Sequence, residues 1–202
     1  MYKENDKLKE LVVKKINENR VKLGKFIAFK SRETPSLIDR KIEDIIEKIE
    51  KYLELEMEYK IFKEDNKNYA YIVYSLGGKI DELIEDSTSD NNEKIRALII
   101  HELSLLALDT MKEHAIGEIE RQTDLEVASE IYPGEEISPL SNRKLILEEM
   151  DNIVNVNLNS NYEFTPMKSV ALKVNLRERK KNYSKCHGCP NPCQIDTQCL
   201  RA

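Results

Sequence analysis

The chain has 202 residues, 40% hydrophobic and 34% charged, with 32 Lys and Arg against 37 Asp and Glu and a formal net charge of −5. This fits one large domain or two small ones with a sizeable core, and it excludes a collagen-like chain and a wholly disordered one. No run approaches the ~18 apolar residues of a membrane span. Met1 to Asp6 lacks the apolar segment of a secretory signal, so a cytoplasmic protein without a membrane partner is expected.

Residues 4 to 20 read as a polar amphipathic helix carried by Leu8, Leu11, Val12 and Ile16, with Leu23 placed past its end. The segment Leu23 to Phe29 is read as partly extended. Thr34 and Pro35 then supply a cap and a first-turn proline. Leu37, Ile38, Ile42, Ile45, Ile46, Ile49, Tyr52 and Leu53 recur at spacings of three and four, which predicts a helix over 36–55.

The period then changes. Tyr59 to Phe62 and Tyr69 to Tyr74 read as two strands of a hairpin, separated by the polar turn Asp65-Asn66-Lys67-Asn68. Leu76-Gly77-Gly78 ends the second strand. Ile80, Leu83 and Ile84 fit a short helix. A long helix is predicted from Glu93 to Glu120; Ala97 to Ile100 is apolar nearly all round, which favours a central position. Gly117 is expected to break that helix or to permit close packing.

Val127 to Ile131 reads as a strand and Pro133-Gly134 as a turn. Ser138-Pro139 is read as the start of a helix ending near Asp151. Ile153 to Leu158, Tyr162 to Thr165 and Ser169 to Leu176 are further extended segments. This order predicts an α+β fold, a twisted and mainly antiparallel sheet with packed helices and a cysteine-rich C-terminal tail. The expected divisions are a helical extension over 1–55 packed on the main body, a core over 56–178 and a metal-binding tail over 179–202.

All four cysteines fall between Cys186 and Cys199, with spacing C-x2-C-x3-C-x5-C. A disulfide framework would spread them to close longer loops. Four thiols so close in sequence can converge on one soft centre. An iron–sulfur cluster needs four thiolate positions, and zinc takes the same tetrahedral set, with His187 as a further donor. Spacing leaves both open. The strand-to-helix context of a redox dithiol is missing.

The segment before the cluster is basic: Lys173, Arg177, Arg179, Lys180, Lys181 and Lys185 outweigh Glu178, and Tyr183 adds an aromatic. Charge and stacking suit nucleic acid, but no reader motif accompanies them, so an acidic protein or a solvated strand end is the preferred reading. Tyr132-Pro133-Gly134-Glu135-Glu136 is a rigid turn between strand and helix, a place for ligand contacts. Lys168 could fix an anion and Ser169 donate to it, or both could simply begin a strand after Pro166. His101-Glu102 lacks the second histidine of a zinc-protease helix, because Leu105 stands there, and His114 is too distant to share a metal-binding turn. Both histidines are read as surface or packing residues. No catalytic acid, base or nucleophile is assigned.

Leu76-Gly77, the long helix containing Asp109, Tyr132-Pro133-Gly134, Ser138-Pro139-Leu140, Thr165-Pro166-Met167-Lys168-Ser169-Val170 and the terminal cysteines occur in an order that resembles the small proteins similar to the activation domain of vitamin B12-dependent methionine synthase. The likeness covers roughly residues 56 to 193. It implies an α+β domain around a twisted antiparallel sheet and association with a corrinoid (cobalamin) protein or a corrinoid-dependent methyltransferase. It also implies a 4Fe-4S cluster on Cys186, Cys189, Cys193 and Cys199 that supports electron delivery. By the same resemblance, Pro133, Gly134 and Glu135 would border a cofactor or partner surface, with Pro166, Lys168 and Ser169 shaping the opposite wall.

The family's activation domain binds S-adenosylmethionine. Its pattern has an arginine before the proline–glycine turn and a tyrosine after the glycine, where this chain carries Glu130 and Glu135. A carboxylate in place of a cationic donor reverses the local electrostatic preference and argues against the family's binding mode. Three functions are thereby framed: corrinoid-linked reductive activation, a non-catalytic zinc-stabilised interaction module, and an S-adenosylmethionine-binding protein related to methyl transfer.

Overall fold

A computed structural model of the chain describes residues 2–31, 35–64, 67–88, 94–150 and 155–179. Among these, the elements in chain order are α1 (Tyr2–Ser31), α2 (Pro35–Tyr52), β1 (Glu56–Glu64), β2 (Lys67–Ser75), α3 (Gly78–Thr88), α4 (Lys94–Thr123), β3 (Leu125–Ile131), α5 (Asn142–Glu149), β4 (Asn157–Leu158), β5 (Phe164–Thr165) and β6 (Ser169–Glu178). The fold is α+β. Its sheet has the order β1-β2-β6-β3 with every neighbouring pair antiparallel, and β4 and β5 form a separate small ribbon.

Helix α1 runs through the Leu23–Phe29 segment that the sequence suggested was partly extended. The reason lies in the spacing. Leu8, Val12 and Ile16 are buried at intervals of four, and Leu23 and Ile27 continue the same stripe. In α2, Ile38, Ile42, Ile45 and Ile49 form the buried face. Leu37 and Tyr52, counted with that face from sequence, are instead exposed, at 40% and 38%.

Helix α4 is central. Ile99, Ile100, Leu103, Ala107, Met111, Ala115 and Ile119 are all fully or nearly fully buried. Ser104 and Thr110 are buried with them and donate to the carbonyls of Ile100 and Leu106, so neither hydroxyl is left to pay a desolvation cost. The helix passes Gly117 without a break, and a Cβ there would meet nothing within 4 Å.

The two faces of the sheet feed two cores. Ala70, Ile72, Tyr74, Leu172, Val174 and Leu176 pack with α1 to α4. Tyr69, Tyr71, Val73 and Ala171 face the other way, toward Ile146, Leu147 and Met150 at α5 and toward Val156 and Phe164. This is the period-two alternation of strands covered on both sides. Phe62, Tyr69 and Tyr71 add a ring cluster, with Phe62 and Tyr69 stacked at 5.1 Å between centroids.

The Ser138-Pro139 start predicted for α5 is displaced. Residues 138–141 form successive tight turns, with Asn142 N–H donating to Pro139 O at 3.0 Å and Arg143 N–H to Leu140 O at 3.1 Å. The helix begins only at Asn142. Its cap residue Ser141 makes no side-chain cap bond, and the Ser138 hydroxyl accepts instead from Asn142 Nδ2 at 3.1 Å. Of the strand expected over 153–158, only Asn157–Leu158 is strand among the described residues, as β4; Val156 precedes it, and Ile153 and Val154 lie outside the described residues.

Candidate functional site

Alternation along β3 sorts the residues around the Pro133 turn onto two sides of the sheet. Glu130 and Tyr132 turn toward α4, where the Tyr132 hydroxyl donates to Glu130 Oε2 at 2.6 Å and Lys112 Nζ reaches the same oxygen at 3.2 Å. Asp109 Oδ1 lies 3.3 Å from the same ammonium. The Glu130 carboxylate is therefore matched by a cation from the neighbouring helix. Burial works against the Lys112 charge, but the hydrogen bonds and charges of Glu130, Tyr132 and Asp109 outweigh it and leave its pKa raised.

The turn itself is tightly self-bonded. Gly134 adopts φ of 109°, in the region that disfavours side chains. Its N–H donates to Ser138 O at 2.7 Å, Glu135 N–H to Tyr132 O at 3.2 Å and Ser138 N–H to Glu135 O at 2.9 Å. The Glu135 carboxylate folds back over the turn, with Oε2 3.4 Å from Tyr132 N. Ile131 and Pro133 face the α5 side and line a cavity of about 290 Å³ with Tyr71, Lys173, Ser138 and the apolar residues of α5.

Lys168 and Ser169 sit at the start of β6, beyond the cis Thr165–Pro166 bond. The backbone there is clamped: Leu76 N–H donates to Lys168 O at 3.0 Å and Met167 N–H to Asp81 Oδ2 at 2.5 Å. Ser169 is buried, with Oγ 2.7 Å from Pro166 O and 2.9 Å from Ser75 Oγ. The Lys168 side chain crosses to α4, where Nζ is 2.8 Å from His101 Nδ1. With the lysine charged, Nδ1 is the unprotonated ring nitrogen. Burial lowers the Lys168 pKa, opposed by the charge of Asp81.

Neither the cavity beside Pro133 nor the one beside Pro166 is lined by both of the groups that the resemblance assigns to facing walls. Pro133 opens onto the α5 face, and Lys168 turns to α4 on the other. Pro166 instead borders a cavity of about 700 Å³ with Ser75, Gly77, Gly78, Glu54, Glu56, Asn155 and the α1 residues Asp6 and Lys9. Local pattern missed Lys112, Asp81 and Ser75. Each acquires its role from a partner at least 18 residues away, as the Ser75–Ser169 separation of 94 illustrates.

Cys186, Cys189, Cys193 and Cys199 lie outside the described residues, as does His187. Among the described residues there is no group of three or more His, Cys, Asp or Glu side chains arranged to hold a metal ion. Nor is any described helix long and apolar enough to cross a membrane. No family model matches the sequence, and no curated protein matches it at a significant level.

Proposed function

We propose that this protein is a corrinoid-associated accessory protein that supplies electrons for reductive activation of a partner's cobalt centre. The observation that carries the reading is the donor set: four thiols within residues 186–199, immediately after a strand at the heart of the sheet. Such a set suits a soft metal centre, and a 4Fe-4S cluster on Cys186, Cys189, Cys193 and Cys199 would supply one-electron chemistry.

The tether is short. Seven residues lie between Glu178 and Cys186, a link that spans at most about 28 Å when fully extended. Support also comes from the α+β body, the Gly134 turn and the bonded Lys168–Ser169 start of β6, all at the places where the ordered motifs fall. The proposed partner is a corrinoid protein or a corrinoid-dependent methyltransferase. The pairing of Glu130 with Lys112 and the placement of Pro133 and Lys168 on different sides of the sheet count against S-adenosylmethionine bound between those two residues.

The test is anaerobic purification followed by iron, sulfide and zinc analysis, electron-spin spectroscopy, and mixing of the reduced protein with an oxidised corrinoid protein. About four iron and four sulfide per chain, lost in Cys189→Ser, together with formation of reduced cobalt support the proposal. Stoichiometric zinc without redox activity selects a structural interaction module instead. A fully loaded cluster that neither binds nor reduces the corrinoid protein overturns the functional part.

A further inference from the structure

Three residues paired directly across the sheet make the floor of the cavity on the α5 side. Lys173 of β6 is opposite Tyr71 of β2 on one flank and Ile131 of β3 on the other, so all three point to the same face. The turn and α5 make the walls, chiefly Pro133, Ile137, Leu145 and Ile146. Its volume of about 290 Å³ falls just below the usual range for small-molecule sites, roughly 300–1,000 Å³, and so suits a ligand of few atoms.

The lining has a definite chemical character. Among the described residues around this cavity, Lys173 is the one charged group. Its Nζ lies 4.0 Å from the centroid of the Tyr69 ring, a contact that leaves the ammonium charged. Tyr71 keeps a phenolic proton to donate, since burial, then the nearby charges of Glu149 and Glu64, raise its pKa. Those two carboxylates lie near Tyr71 but do not line the cavity. Ser138 is buried at the rim, accepts from Asn142 and retains its own hydroxyl proton. Ile137 at 75% exposure and Leu145 at 46% leave apolar surface at the mouth. A lining with one lysine, two hydroxyl-bearing residues and aliphatic walls fits one kind of ligand and disfavours a cation, which would meet Lys173 with no lining carboxylate to offset it.

We infer that this cavity binds a small aliphatic monocarboxylate, its carboxylate on Lys173 and Tyr71 and its hydrocarbon end against Ile137, Leu145 and Ile146. The site uses none of the cysteines, so it stands or falls independently of the electron-transfer reading.

The full chain is titrated with 4-methylpentanoate and, separately, with the neutral 4-methylpentanamide, and binding is followed by amide chemical shifts. Saturable shifts at Tyr71, Ile131, Leu145 and Lys173 are expected, with the carboxylate binding about ten-fold or more tighter than the amide, as a charge-assisted hydrogen bond predicts. Lys173→Met brings the two ligands within about two-fold of each other, and Lys173→Arg retains the preference for the anion. If Lys173→Met does not fold, loss of the wild-type preference on raising salt takes its place as the readout. Shifts absent or scattered elsewhere, equal affinity for acid and amide, or a preference untouched by both Lys173→Met and salt would overturn the inference.

Discussion

Lys112 Nζ stands 3.2 Å from Glu130 Oε2, and this contact ties the central helix α4 to the edge strand β3. Both side chains are mostly shielded, so the pair is worth more than a solvent-exposed ion pair. Lys112→Met or Glu130→Gln is expected to cost about 1–2 kcal/mol, by loss of one partner of a charge-assisted bond. The double variant costs less than the sum of the two singles, because each single already breaks the shared contact. Urea unfolding of the four proteins measures this coupling, and strict additivity would contradict it.

The same network gives an alkaline limit. Burial, then the hydrogen bond to Glu130, push the Tyr132 phenol from 10.0 up to about 12, with Lys112 pulling the other way. A group whose folded pKa exceeds its unfolded value contributes fully below the unfolded pKa and loses that contribution as pH climbs through the folded one. The stabilisation from Tyr132 is therefore intact below pH about 10 and disappears toward pH about 12. Tyr132→Phe is expected to flatten the fall of unfolding free energy over that window and to remove one late-titrating phenol from the tyrosinate absorbance. Tyr69, also pushed up to about 12, supplies the late titration that persists.

Three glycines separate backbone demand from open space. Gly77 has φ of 88°, and a Cβ there would lie 2.6 Å from Glu54 Cβ and 3.0 Å from Glu54 O. Gly77→Ala is expected to destabilise by about 1–3 kcal/mol. Neither Gly78 nor Gly117 would bring a Cβ within 4 Å of anything. Gly117→Ala, deep within α4, is expected to stabilise by about 0.5–1 kcal/mol. Thermal unfolding orders the two variants, and an unchanged midpoint for Gly77→Ala would show that the turn relaxes freely.

Ile16 of α1 is 1% exposed and belongs to the same apolar cluster as Ile72 and Leu172 of the sheet. Ile16→Ala is expected to cost about 2–5 kcal/mol by cavity formation. Circular dichroism of helix content and tyrosine fluorescence should still report one coincident transition. Two separated transitions would mean that α1 melts on its own.

The buried apolar residues among those described run from Leu8 to Leu176. A chain ended after Arg179, or the full chain stripped of metal by a chelator, is accordingly expected to keep its thermal midpoint within about 3 °C, or roughly 1 kcal/mol at this size. A larger fall would place the cysteine segment within the stabilising core.

Some of this architecture was readable residue by residue. The isoleucine spacing of α2, the β-rich run Tyr69 to Tyr74 and the apolar girth of α4 each encode their element locally, because burial on a regular element imposes its own period. Phe26, Ile27 and Phe29 suggest extension by residue type, whereas Leu23 and Ile27 continue the buried stripe of α1. Ser138-Pro139 carries a good helix-start pattern, yet the Ser138 hydroxyl is used by the Asn142 side chain and the chain turns first. The candidate site was legible only as residue types. That Lys168 would meet His101 while Lys173 would meet Tyr71 depends on which face of β6 each occupies, and that phase is set by pairing with strands far away in sequence.

Strand β6 follows every other described strand, yet it lies between β2 and β3 and is bonded to both. During synthesis the hairpin β1–β2 can form early, but β3 has no neighbour until residues 169–178 have left the ribosome. The sheet is thus closed by insertion of its final strand. Assembly requires bridging nearly a hundred residues, a topology that favours late, concerted folding and leaves β2 and β3 as unpaired edges for chaperones to guard in the nascent chain.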